Sequence, residues 1–78
     1  MSVRRFTIQG VIYPGDQQGY VGECLDLAVV TQGRTLDETA QNLREAIQLH
    51  LEGEDLGELG LAPNPPLLIT FEMEPVSA

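Results

Sequence analysis

"TQGRTLDETAQNLREAIQLHLEG", Thr31 to Gly53, is the stretch on which the fold turns. Thr35-Leu36-Asp37-Glu38 has the form of a capping box. In that motif the Thr35 hydroxyl accepts a hydrogen bond from the Glu38 amide, and the Glu38 carboxylate reaches back to the Thr35 amide. Downstream, Leu36, Ala40, Leu43, Ile47 and Leu51, supplemented by Ala46, recur at helical spacing and form one apolar stripe. Asp37, Gln41, Arg44, Glu45, Gln48 and Glu52 fill the remaining positions with polar groups, and the acids in the first turn suit the helix dipole. Gly53 is placed to act as the C′ residue, because it enters the left-handed region without a Cβ clash. The stretch therefore predicts one amphipathic helix, which needs an apolar partner layer.

Upstream, VRRFTIQGVIY (residues 3–13) alternates, with Phe6, Ile8 and Ile12 on one face and Thr7, Gln9, Val11 and Tyr13 on the other. Pro14 to Gly19, PGDQQG, concentrates turn residues. A second strand is expected over Tyr20–Leu25 and a third over Ala28–Thr31, with Asp26 and Leu27 at the turn between them and Gly33 closing the third. Because antiparallel neighbours need only short connections, these strands should form a meander. Glu54 to Pro66 mixes acids, glycines and prolines and reads as a loop holding one helical turn about Asp55 to Leu59. Leu67 to Glu74 alternates again, with Leu67, Ile69, Phe71 and Met73 on one side, and predicts a fourth strand. Residues 75–78 form a short tail.

The order β-β-β-α-β makes the helix a crossover between the third and fourth strands, so it must lie on one sheet face to bury its stripe. The expected fold is a single α+β domain over residues 1–78, a two-layer sandwich of a four-stranded sheet and one helix. Aromatic residues are only 5% of the chain. The core should therefore be aliphatic, with Phe6 and Phe71 as its largest pieces.

Composition narrows the function. Four basic against twelve acidic residues give a net charge of −8. That balance disfavours direct nucleic-acid binding, which needs Lys and Arg to displace counterions. It favours solubility and rapid association with a basic partner, although many cytosolic proteins are simply acidic. A single cysteine cannot form an intramolecular disulfide, and one cysteine with one histidine cannot make a structural zinc site. No leader-like or membrane-spanning run is present. The expected location is the reducing cytoplasm.

The run Gly19 to Gly53, GYVGECLDLAVVTQGRTLDETAQNLREAIQLHLEG, resembles the HicB antitoxin family. The carrying features are Gly19-Tyr20 at a strand start, Asp26-Leu27 at an acidic-Leu turn, Thr31-Gln32-Gly33-Arg34-Thr35, and the helix end from Ala46 to Leu51. The resemblance implies a β-β-β-α-β domain like a truncated ribonuclease H fold. It also implies a partner, a small basic HicA-type toxin that cleaves mRNA. Many members carry Pro-Gly-Cys after the acidic-Leu pair, where this chain has Ala28-Val29-Val30 and resembles a shorter subgroup. Full-length members add a C-terminal DNA-binding motif. This sequence stops four residues after its last expected strand, so DNA-binding autoregulation is not carried over.

A ribonuclease H-like scaffold also raises the possibility of a metal-dependent nuclease, which would need clustered carboxylates. Asp16, Glu23, Asp26, Glu72 and Glu74 are the candidates, but they are spread over a turn, strand positions and a strand end and read better as solvated or partner-facing acids. Cys24 and His50 lack a third orienting group and a pocket. Cys24 reads as a small buried hydrophobe and His50 as a helix-end cation. Arg4 and Arg5, the one basic cluster, read as flanks of an edge strand or as partners for acids on a neighbouring subunit.

No catalytic group, metal or cofactor is therefore expected. Glu23, Asp26, Glu72 and Glu74 are the expected partner-binding acids, and Thr35, Glu38 and Gly53 the structural helix caps. A homodimer, or an orphan binding module that has lost its toxin, is an expectation alongside the antitoxin.

Overall fold

The computed structural model describes residues 7–58, 65–73 and 76. Its elements run β1 (Ile8–Pro14), β2 (Tyr20–Cys24), β3 (Val30–Gly33), α1 (Leu36–Leu51) and β4 (Leu67–Phe71). They form the expected α+β sandwich, one helix packed on a four-stranded sheet of order β3-β2-β1-β4.

β1, β2 and β3 make the expected antiparallel meander. The β1–β2 turn is closed by the Gly15 N–H donating to the Gly19 carbonyl at 3.1 Å, with Gly19 at φ 104°. β4 lies parallel to β1, pairing Ile8 with Leu67 through Ile12 with Phe71, so the sheet is mixed. A parallel neighbour requires a long crossover, and α1 supplies it.

Strand limits differ from the sequence expectation, most at β3 and β4. β3 begins at Val30 instead of Ala28. Beyond Cys24 the chain still bonds to β1, since the Leu25 N–H donates to the Gln9 carbonyl at 2.8 Å and the Gln9 N–H donates to Asp26 Oδ2 at 2.8 Å. Residues 25–28 are spent on this bend before β3 can pair. β4 ends at Phe71, and a single further bond, Glu72 N–H to the Ile12 carbonyl at 2.7 Å, follows it. β1 itself runs only two residues beyond Ile12, to Pro14, so little strand remains for β4 to pair with. Glu74, expected in this strand, lies outside the described residues, as do Phe6, Arg4, Arg5 and Leu59.

Helix capping follows the sequence with one change. The Glu38 N–H donates to Thr35 Oγ1 at 3.0 Å, but the Glu38 carboxylate accepts from the Arg34 N–H at 3.2 Å, not from the Thr35 amide. Thr35 is extended, at φ −126° and ψ 164°, which sets its preceding neighbour's amide in the carboxylate's reach. At the other end Gly53 adopts φ 78° and the Glu54 N–H donates to the Leu51 carbonyl at 3.0 Å. The turn expected near Asp55 is closed by Asp55 Oδ1, which accepts from the Gly57 and Glu58 amides at 2.9 and 3.4 Å.

Ile8, Ile12, Cys24, Val29, Leu43 and Ile47 are the buried apolar core. Thr39 is buried with them, on a helix face that the sequence stripe alone did not include. Its hydroxyl donates to the Thr35 carbonyl at 2.7 Å, which satisfies it inside the core. Gly22 and Gly33 make room for it, with a Cβ at Gly33 falling 2.5 Å from Thr39 Oγ1. The helix consequently sits over β3 and β2 and touches β1 only lightly. That placement corrects the expectation for Phe71. Leu67 and Ile69 are half-buried against the core, but Phe71 and Met73, further along the same row, are exposed.

Candidate functional site

The helix covers one face of the sheet, and the opposite face is open among the described residues. Alternation puts Ile8, Gly10 and Ile12 of β1 under the helix and Gln9, Val11 and Tyr13 on the open side. Cross-strand register extends this side to Val21 and Glu23 of β2, Val30 and Gln32 of β3, and Leu68 and Thr70 of β4. Val30 and Leu68 are 68% and 52% exposed, so this face carries large apolar side chains in water at its two outer strands.

At its centre the Tyr13 hydroxyl donates to Glu23 Oε1 at 2.6 Å, from β1 to β2. The phenol is held above its usual pKa by that bond first, then by burial and by the negative charges of Glu23, Glu72 and Asp16. The sole ionisable pair in the middle of the described face is therefore satisfied from within.

The four acids expected to bind a partner do not converge. Glu23 is half-buried and engaged with Tyr13. Asp26 accepts from the Gln9 backbone and pins the β2–β3 bend to β1. Glu72 is exposed just beyond β4, and Glu74 lies outside the described residues. Acidic charge is instead concentrated on the helix side, in Asp37, Glu38 and Glu45 and in Glu52, Glu54 and Asp55 at the helix's C-terminal end, all exposed.

Among the described residues no group of three or more His, Cys, Asp or Glu is placed to hold a metal ion. Cys24 is buried in the core, where burial pushes its thiol pKa up and a backbone hydrogen bond at Leu27 opposes that rise. His50 is exposed in the last helical turn. A shallow open groove lies where the β1–β2 turn meets the start of the helix, lined by Gln17, Gln18, Tyr20, Arg34 and Glu38. No helix of the described residues is long and apolar enough to cross a membrane.

Sequence reading missed the Tyr13–Glu23 bond and the apolar side chains exposed on the open face. The signal was present in the alternation that set Val11 and Tyr13 opposite Ile8 and Ile12. What defines the molecule is thus a two-layer α+β domain that offers a broad surface and an acidic flank. Comparison with protein-family models, with curated proteins and with solved structures finds no match to this chain.

Proposed function

We propose that this chain is a non-enzymatic, HicB-like antitoxin-type domain that binds and blocks a small basic HicA-type toxin. One observation carries the reading: the residues of the resemblance fall in order on the parts of the fold that need them. Gly19 takes the positive φ before Tyr20 opens β2, Asp26 pins the bend, and Thr31 to Thr35 run from β3 into the helix cap. The acidic flank adds electrostatic support, since a mRNA-cleaving toxin must present a basic surface to its substrate. Inhibition on this reading is steric and electrostatic, with exposed Glu72 and the helix-side acids meeting the toxin's basic surface and excluding RNA.

The test is co-expression with the small basic proteins encoded beside its gene, scored by growth rescue and by co-purification. Rescue with a stable, salt-sensitive complex is expected. Failure of every such neighbour to bind or to be neutralised sinks the antitoxin reading and leaves a binding module of another kind. Magnesium-dependent RNA cleavage by the purified chain, lost in Asp26→Asn, would instead establish the nuclease alternative.

A further inference from the structure

The two edges of the sheet are not alike. At the β3 edge the Asn42 side-chain amide donates to the Gln32 carbonyl at 2.9 Å, so the helix already occupies a group that an added strand needs. At the β4 edge no such cover exists among the described residues. Two bonds fix the backbone there. The Pro66 carbonyl accepts from the Ile8 N–H at 2.9 Å, and the Glu72 N–H donates to the Ile12 carbonyl at 2.7 Å. Backbone groups of successive strand residues point to opposite sides, so Leu68 and Thr70 face β1 as Pro66 and Glu72 do. Leu67, Ile69 and Phe71 therefore aim both N–H and C=O away from the sheet. Leu67 to Phe71 holds neither a charge nor a proline, the usual guards of an edge.

We propose that β4 pairs antiparallel with β4 of a second copy about a twofold axis through Ile69, joining the two sheets into one. This goes beyond the antitoxin reading and does not rest on it. The fold selects both occupant and register. Adding β4 of one copy to β3 of the next is opposed by Asn42, whereas β4 on β4 closes on itself. With Ile69 at the axis, Leu67 faces the partner's Phe71 and every outward N–H and C=O of the strand is paired. A shift of two residues either way carries Leu67 or Phe71 past the end of the partner strand.

Side chains fit the same register. Phe71 is 55% exposed and stands on the helix side of the sheet, where the helix does not reach it. Across the axis its neighbour is the partner's Leu67, which with Ile8, Ile47 and Leu51 forms the apolar wall of a groove between helix and sheet. Exposed Met73, two residues on, comes towards Pro65 at the rim of that groove. Each copy thus carries both an uncovered ring and a groove, and one twofold operation brings each ring to the other copy's groove.

Charge does not oppose the contact. The helix packs over β3 and β2, so at about 4.8 Å per strand the two acidic helices stand on the order of 25 Å apart. The Debye length is about 8 Å at physiological salt, which screens them. The two copies of Glu72 flank opposite ends of the pairing, about 20 Å apart at about 3.3 Å per residue. A strand pair buries less than the roughly 1,600 Å² of a standard interface, so the dimer is reversible and concentration-dependent.

The experiment is sedimentation equilibrium of the purified chain, without any toxin, from low to high micromolar concentration. Monomer–dimer exchange is expected. Phe71→Pro removes the ring and one outward N–H but no bond to β1, and should weaken association by about tenfold or more. Val30→Glu, an exposed site on the other edge strand, should leave it unchanged.

Amide hydrogen exchange of the wild-type chain tests the same edge without any variant. The Leu67, Ile69 and Phe71 amides should slow as concentration rises through the dimer range, far more than the β1-bonded amides of Leu68 and Thr70. A chain that stays monomeric throughout, exchange at Leu67, Ile69 and Phe71 that ignores concentration, or a loss in Val30→Glu as large as in Phe71→Pro overturns the proposal. Because neither assay contains a toxin, failure here leaves the antitoxin reading standing, and failure of the toxin assay leaves this one standing.

Discussion

Thr39 stands directly over Gly33, so that a Cβ added at Gly33 would come within 2.5 Å of the Thr39 hydroxyl oxygen and 2.8 Å of its amide nitrogen. The helix reaches β3 this closely because the strand has no side chain there. Both obstructing groups are fixed, the nitrogen by its position in the backbone and the hydroxyl by its bond to the Thr35 carbonyl. Gly33→Ala should therefore lower unfolding free energy by about 2 to 3 kcal/mol, as overpacking a rigid contact does. A urea unfolding series measures it.

Gly53→Ala should cost about 1 kcal/mol for a different reason. A Cβ there meets nothing within 4 Å, but the residue sits at φ 78°, where an L side chain is strained. Combining it with Gly33→Ala should give additive losses, since the two sites lie at opposite ends of the helix. Losses that fail to add would point to a helix that shifts as a body.

Thr35→Ala should cost about 1 kcal/mol, because the hydroxyl satisfies the Glu38 amide, which otherwise has no helical partner. Glu38→Ala should cost less, since its carboxylate makes a longer, exposed bond to the Arg34 amide. A reversed ranking in thermal unfolding would mean that the carboxylate, acting on the dipole, is the larger contributor.

Tyr13 should ionise above the ordinary tyrosine range, and Glu23→Gln should bring its midpoint down. The bond to Glu23 needs the protonated phenol, so its contribution to stability is present in full below pH about 10 and is lost as pH rises through the higher folded-state value. Tyr20→Phe leaves Tyr13 as the one tyrosine. Tyrosinate absorbance in that background reads the midpoint directly, and no change on adding Glu23→Gln would refute the assignment.

Cys24 should react with thiol reagents only as fast as the domain opens. It is buried, and burial holds the thiol protonated. The labelling rate should climb steeply with denaturant, in step with unfolding followed by circular dichroism. Fast labelling in native buffer would place the thiol at the surface.

Short-range patterns carried most of the fold. The capping box, Gly53, the turn at Pro14 to Gly19 and the two alternating runs each encode local geometry in a few residues, and their order leaves a helix no option but to cross a sheet face. The meander was legible for the same reason. Strand limits were less so: β3 starts two residues late because Leu25 and Asp26 bond to Gln9, a partner sixteen and seventeen positions away.

The candidate surface depended on contacts that no local pattern contains. Alternation assigned Phe71 to the helix side, yet exposure was decided by where the helix lands, over β3 and β2 and away from β4. Glu23 and Asp26 look like free acids in sequence, and pairing in the sheet turned both into hydrogen-bond acceptors within the domain. By itself the sequence determined the elements, their caps and the excess of acid, because those follow from neighbours along the chain. Only the tertiary structure decided which apolar residues stay in water and which side bears the charge, since both depend on how closely one helix can approach two glycines.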